Sequence, residues 1–469
     1  MDAVAYKKNY IKLLNVSKYN FNQYQFDGIE WCIRNELSNV GGGLIADEMG
    51  LGKTIQMISL MYLNFVSNTL IVLPPILIQQ WYNEIYKFTG HKAVVYYGNN
   101  KKKITNLNVP IVLTTYNTLL MSDCILLKTK WCRVIYDEAH HLRNHKTKRY
   151  QVANSLISRI KWFVTGTPVQ NKPSDLYNLL RLIGLSAKFY KDDKNWEFIN
   201  KHYILRRTKA QVGIEIPAIC TEDIKVQWKD HREQRLSEEI HSLLSLSGVS
   251  ENRGKEFSKV IGDKGKLTAI LRARQSCVLP SLMINSISSY IQKGALNTDY
   301  SSLLNFTSKI DAVVNLILQR KNNKKGKIVF CHFTNEIDIL VSRLKNEGIN
   351  YIVRHDGRSN KNKNISDKAD VLIMQIQSCC EGLNLQEHFS EVYFVSPHWN
   401  PSVEDQAIAR CHRMGQKEIV NVFKFEMVGF IKDNIKDVLQ PISVENYVNK
   451  IQNKKREISN NILEIKDKK

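Results

Sequence analysis

The stretch Leu44-Ile-Ala-Asp-Glu-Met-Gly-Leu-Gly-Lys-Thr-Ile55 constrains this chain more than any other. It reads as the end of a buried strand, a turn carrying Gly50 and Gly52, and the start of a helix. Glycine reaches backbone angles that a side chain forbids, so successive N–H groups can turn inward around phosphate oxygens. Lys53 adds a positive charge for β- and γ-phosphates, and Thr54 offers a hydroxyl to Mg2+. The helix that follows points its positive end at the anion. The strict phosphate-loop pattern wants glycine six residues before the lysine, and Asp47 stands there instead.

The surrounding pattern is that of a layered α/β fold. Thr69–Pro75, Val94–Tyr97 and Ile111–Thr115 read as apolar strands, with helical patterns between them that include Ile76–Phe88. Strands alternating with helices imply a parallel sheet covered on both faces. Arg133-Val-Ile-Tyr-Asp-Glu-Ala-His140 is a further strand that runs directly into two carboxylates. At a strand's C-terminal end they face the crevice where such sheets bind ligands. Asp137 can hold Mg2+ through water, and Glu138 can orient and deprotonate an attacking water. Trp162–Asn171 is another strand-to-turn, whose Thr165 and Thr167 can hydrogen-bond those acids. Upstream, Phe26, Ile29, Ile33 and Leu37 keep helical spacing, and Gln25 before them is a candidate reader of an adenine edge.

From 185 to 300 strand patterns thin and helical, charged segments take over. They include the basic cluster Leu205-Arg-Arg-Thr-Lys209, a helix over Leu267–Cys277 with arginines on one side, and a glycine- and charge-rich loop at Gly248–Gly265. A second α/β unit opens at Ile328–Thr334 and continues through Val371–Met374 and Val392–Val395. Gln406, Arg410 and Arg413 are spaced to share one face of a helix, and two guanidinium groups placed so can fork onto phosphate oxygens.

Charge narrows the partner. Lys+Arg number 67 against 45 Asp+Glu, a net +22 that favours a polyanion, most simply nucleic acid, over a neutral substrate. There is no long apolar N-terminal run and no apolar run of about 18 residues, so neither secretion nor a membrane span is expected. The nine cysteines are scattered without a Cys-x-x-Cys pair and read as reduced intracellular thiols.

With these residues assembled, the chain resembles the SNF2-like ATPases of helicase superfamily 2, from Gln25 to about Asp433. Asp47-Glu-Met-Gly-Leu-Gly-Lys-Thr54 is similar to motif I in the family's own form, which carries an acid where stricter loops carry glycine. Asp137-Glu-Ala-His140 resembles the DEAH box, Thr165-Gly166-Thr167 through Asn171 motif III, and Leu205–Lys209 the linking Leu-Arg-Arg-x-Lys segment. Gly382-Leu-Asn-Leu385 resembles the end of motif V, and Trp399–Gln416 motif VI. Two departures fall in the second lobe. Ser378-Cys-Cys380 replaces Ala-Gly-Gly, and the loop after His355-Asp-Gly357 is short and lysine-rich. Both bear on coupling rather than on nucleotide binding.

The resemblance implies two RecA-like parallel-sheet lobes with helical insertions between them. The expected boundaries are 1–210 for the first lobe (core 22–185), 185–305 for the helical region, 306–440 for the second lobe and 441–469 for a basic tail, read from Asn449 as a frayed basic helix. It implies ATP and Mg2+ as cofactors. Gln25, Asp47, Glu48, Met49, Gly50, Leu51, Gly52, Lys53, Thr54 and Asp137 would hold the nucleotide, with Thr54 and Asp137 toward the metal. Glu138 would be the catalytic base, Lys53 and Gln406 would be catalytic with it, and Arg410 and Arg413 would act as arginine fingers. Ala139 and His140 complete the DEAH box, and Thr165, Gly166, Thr167 and Gly382 would couple nucleotide state to motion. The expected activity is a DNA-stimulated ATPase that translocates on double-stranded DNA through sequence-independent backbone contacts and displaces DNA-bound proteins. It would work as a monomer, in a nucleus or a viral cytoplasmic factory. A strand-separating helicase shares every nucleotide residue. A non-catalytic nucleic-acid-binding scaffold is the rival from another class.

Overall fold

The computed structural model describes residues 3–104, 107, 109–242, 268–292, 296, 305–355, 358–359, 369–379, 383–430 and 443–467. The expected loop at Gly248–Gly265, residues 360–368 of the lysine-rich loop after Gly357, Cys380 and Gly382 lie outside the described residues. The chain divides into two compact units, Met1–Glu215 with Lys455–Lys469, and Ile216–Lys454.

The first unit is built on β1 (Gly42–Ile45), β2 (Thr69–Leu73), β3 (Val94–Val95), β4 (Ile111–Thr115), β5 (Trp131–Asp137), β6 (Ser158–Val164) and β7 (Ile204–Leu205). Their order is β3-β4-β2-β5-β6-β1-β7. Every pairing is parallel. The central strands are near-continuous apolar runs because helices cover both faces. Alternate residues therefore feed two cores: Leu44, Leu70, Val72, Val134 and Tyr136 on one side, Ile45, Ile71, Leu73, Ile135 and Trp162 on the other. A buried ion pair ties helix Gln23–Leu37 to the sheet. Arg133 Nε donates to Glu36 Oε1 at 2.6 Å, Trp162 Nε1 to the same oxygen at 2.8 Å, and Asn64 Nδ2 to Glu36 Oε2 at 2.6 Å. Parallel strands put all their C-terminal ends at one edge, and the turns after β1, β5 and β6 leave that edge side by side.

The second unit contains β8 (Ile219–Val226), β9 (Gly326–Cys331), β10 (Tyr351–His355), β11 (Arg358–Ser359), β12 (Val371–Gln375), β13 (Phe389–Phe394) and β14 (Val420–Met427). The order is β11-β10-β12-β9-β13-β14-β8, parallel except for β10 with β11. Thus the stretch expected to be helical over 185–305 also holds strands, β7 in the first sheet and β8 in the second. An edge strand needs no apolar run on both faces, and Ile219-Cys-Thr-Glu-Asp-Ile-Lys-Val226 is mostly exposed. The expected basic tail is a 24-residue helix, Val444–Asp467. It buries Val444, Val448 and Gln452 at helical spacing, and Glu445 pairs with buried Lys309. Among the described residues no helix is long and apolar enough to cross a membrane.

Candidate functional site

The phosphate-loop residues occupy the turn between β1 and helix Lys53–Leu63. Gly50 and Gly52 hold φ at 93° and 77°, angles that glycine adopts without steric cost. Lys53 Nζ donates to the carbonyl oxygens of Asp47 at 2.8 Å and Glu48 at 3.3 Å, so the loop curls around the ammonium. Thr54 lies in the helix's first turn and is partly exposed, whereas Leu51 is buried. Met49 and Lys53 both approach Gly166: a Cβ there would meet Met49 Cγ at 2.7 Å and Lys53 Nζ at 3.2 Å. Gly166 thus lets the turn after β6 pass close beneath the lysine.

Gln25 is buried against this loop. Its Nε2 donates to Leu51 O at 3.3 Å, and its Oε1 accepts from Tyr10 Oη at 3.3 Å. The amide thereby ties helix Gln23–Leu37 to the phosphate loop.

The acids follow β5 directly. Asp137 ends the strand, and its carboxylate accepts from Trp81 Nε1 at 2.7 Å and from the Glu138 N–H at 2.9 Å. Burial, and then the adjacent Glu138 charge, push the Asp137 carboxyl up to about 6 against the pull of these hydrogen bonds and of Lys53. Glu138 holds φ at 49°, a left-handed conformation rare for a residue with a side chain. Its Oε2 lies 3.1 Å from His140 Nδ1, and that nitrogen lies 3.3 Å from Thr165 Oγ1. Thr165 therefore reaches the acids through His140. It also accepts from the Thr167 N–H at 3.2 Å. From Thr167 the chain of contacts runs on to Gln170 Nε2 at 3.2 Å and from Gln170 Oε1 to Arg143 at 2.7 Å. Ala139 is fully buried beneath this turn.

The loop's own acids face the other way. Asp47 is fully buried, and its carboxylate accepts from the Arg207 N–H and Nε, both at 3.0 Å, and from the guanidinium's outer nitrogen at 2.5 Å. Glu48 pairs with Lys209 Nζ at 3.2 Å and accepts from the Lys209 N–H at 2.8 Å. Arg207 and Lys209 of the basic cluster Leu205–Lys209 are thus stitched to the loop.

In the second unit, Gln406 is buried in helix Pro401–Ile408, and no hydrogen-bond partner is found for its Nε2 among the described residues. The helix expected to carry Arg410 and Arg413 on the same face ends before both. The Arg410 carbonyl, which a continued helix would need, accepts from the Leu385 N–H at 3.0 Å, and the Cys411 carbonyl accepts from Gln416 Nε2 at 3.1 Å. With its carbonyls captured from outside, the chain leaves the helix in turns that reach Gly415 at φ 94°. Arg410 Nε donates to Gln406 O at 3.2 Å, and Arg413 donates to Asn384 Oδ1.

Trp81, Tyr116 and Arg207 complete the first unit's site and were not read from the sequence as part of it. Trp81 anchors the Asp137 carboxylate, and Tyr116 Oη donates to the Asp137 carbonyl at 2.7 Å. One signal was available for Trp81: a buried indole N–H needs an acceptor, and this one lies on a helix that follows two prolines after a strand.

The lysine, the backbone N–H groups of a glycine turn, a helix N-terminus and two carboxylates therefore meet at one sheet edge. Such a set can bind a polyphosphate. The oxygens of Thr54, Asp137 and Glu138 are hard ligands of the type Mg2+ takes, and a buried adjacent carboxylate pair gains from a cation beside it.

Two family models match the chain. The model for the SNF2-related domain matches residues 24–282, and that for the helicase conserved C-terminal domain matches 308–415. An uncharacterized ATP-dependent helicase of Mycoplasma genitalium is 27% identical, over 96% of this chain and 43% of that protein. The ATP-dependent DNA helicase DDM1 of Arabidopsis thaliana is 28% identical, over 88% of this chain and 59% of its own length. A probable global transactivator of Orgyia pseudotsugata multicapsid polyhedrosis virus is 27% identical, over 95% and 92%. The chain spans about two fifths of the length of its Mycoplasma genitalium and Mycoplasma pneumoniae relatives.

Proposed function

The chain belongs to the SNF2-related family, and from that premise we propose that it hydrolyses ATP to drive movement along double-stranded DNA. The observation that carries the reading is the single sheet edge at which Lys53, the glycine turn, Asp137 and Glu138 converge. The backbone N–H groups of Gly50–Thr54 and Lys53 bind the β- and γ-phosphates. Gln25, already seated against the loop, reads the adenine edge. Thr54 and Asp137 would hold Mg2+, Asp137 partly through water. When bound, the ion neutralises charge on the phosphates. Trp81 and the Glu138 N–H fix the direction of the Asp137 carboxylate. Glu138 orients the attacking water and takes its proton, and His140 positions Glu138 and passes its state to Thr165 and Thr167.

Arg410 and Arg413 are the proposed transition-state arginines, supported by Gln406. An arginine in that role is worth about 10³-fold or more in phosphoryl transfer. The net charge of +22 suits nonspecific contact with the duplex backbone. Displacing DNA-bound proteins as a monomer is the use of the motor we favour.

The test is steady-state ATP hydrolysis with and without duplex DNA. Duplex should stimulate the parent, and Lys53→Ala and Arg410→Ala should each lose at least about 10³-fold in turnover. A Lys53→Ala variant as fast as the parent would overturn the nucleotide assignment. A parent indifferent to duplex would overturn the motor. Displacement of a third strand from a triplex without separation of a plain duplex is the expected outcome on DNA; duplex unwinding would establish the strand-separating reading in its place.

A further inference from the structure

A carboxylate inside a phosphate-binding loop is a physical problem. Even turned away from the ligand, an unneutralised carboxylate in that loop repels the ligand's several like charges across a partly buried site. This loop has two acids, Asp47 and Glu48, and their backbone carbonyls hold the very lysine that would meet the phosphates. We propose that Arg207, assisted by Lys209, is the counter-charge that allows this acidic loop to accept a nucleotide. The inference rests on the nucleotide reading above and adds positioning residues to it.

Four observations support it. Arg207 meets the Asp47 carboxylate in a fork, through Nε and an outer nitrogen, the geometry that neutralises a carboxylate most completely. The two segments are in register: Ala46 N–H donates to Leu205 O at 2.7 Å and Glu48 N–H to Arg207 O at 2.9 Å, so β7 continues alongside the loop and presents Arg207 and Lys209 to Asp47 and Glu48. The guanidinium is held by further groups. It donates to Tyr24 O and to Gln56 Oε1 at 3.0 Å, its carbon sits 5.5 Å from the Tyr24 ring centre, and Gln56 Nε2 donates in turn to Asp47 Oδ2 at 3.1 Å. Finally, helix Gln23–Leu37 leaves a gap for it. A Cβ on Gly28 would collide with Gln56 Oε1 and come within 2.7 Å of an Arg207 nitrogen.

A structural staple alone would give the same contacts, so the test must separate charge from stability. Binding of a fluorescent ATP analogue to the full chain would be titrated alongside thermal unfolding. Arg207→Ala should weaken binding by at least about tenfold, because one partner of a desolvated pair is left charged. Adding Asp47→Asn should return affinity to within about threefold of the parent, since the carboxylate that needed neutralising is gone. Arg207→Lys, which keeps the charge, should bind at least about threefold more tightly than Arg207→Gln, which does not, and this comparison decides the matter if Arg207→Ala does not fold.

The proposal is overturned if Arg207→Ala binds like the parent. It is also overturned if the double variant regains thermal stability yet stays as weak a binder as Arg207→Ala, or if Arg207→Gln binds as tightly as Arg207→Lys. Lys53→Ala is the control for the reading beneath: unchanged affinity there removes the nucleotide site itself. Lost affinity in Lys53→Ala with none lost in Arg207→Ala removes only the counter-charge.

Discussion

Glu138 carries a local backbone cost in the site. Its left-handed backbone, at φ 49°, is strained by about 1–3 kcal/mol. The strain is held by a buried Ala139 behind it and by Asp137 Oδ1, which accepts the Glu138 N–H. Strain at a residue that aims a carboxylate fits a catalytic base, and none is needed in a strand cap. Two other residues make measurable claims about stability. Arg133 and Glu36 are fully buried together, and a pair broken from one side leaves an unpaired charge inside the sheet. Glu36→Ala should cost about 3–5 kcal/mol, read as a lowered midpoint in urea unfolding.

His241 is buried with Nδ1 toward Ser237 O at 2.6 Å, while its Nε2 accepts from the Val444 N–H at 3.0 Å. Burial lowers its pKa to about 4. The unfolded chain takes up the proton first, from about 6.5 downward, so the stability that His241 contributes is present above that pH and is lost as pH falls toward 4. His241→Gln should therefore destabilise the second unit more at pH 7.5 than at pH 5, measured as the difference in Tm from the parent. An equal difference at both pH values would contradict this.

At the scale of elements, the loop that presents Arg410 and Arg413 depends on Gly415. Its φ of 94° is strained for any other residue, although space exists, the nearest atom to a Cβ being Gln386 Cγ at 3.7 Å. Gly415→Ala should leave nucleotide affinity unchanged and lower kcat severalfold, checked by separating KM from kcat. The same loop marks the limit of what local sequence can tell. Gln406, Arg410 and Arg413 have helical spacing, but the carbonyl that would continue the helix is taken by Leu385, a partner 25 residues upstream that no local pattern reveals. Central strands were legible because burial on both faces forces apolar runs such as Leu70–Leu73 and Val371–Met374. β8 was not, because an edge strand tolerates Thr221, Glu222 and Asp223. The phosphate loop and the acids were legible as types and spacings, since glycine, lysine and paired carboxylates have few alternative uses together. Trp81 and Arg207 were not, because each acts on a residue more than fifty positions away.

For the whole molecule, charge and chemistry make separate claims. With a net +22, affinity for duplex DNA should fall about a hundredfold or more between about 50 and 200 mM salt, while ATP hydrolysis without DNA changes little. A flat salt dependence would point to recognition that does not run through the phosphate backbone. The most direct measurement of the central claim is phosphate release by the purified chain under saturating duplex DNA, compared between the parent and Glu138→Gln. The substitution keeps the shape and removes the base. Release should fall by at least about a hundredfold with ATP-analogue affinity held within about threefold. Release at the parental rate would contradict the assignment of this sheet edge as the place where ATP is hydrolysed.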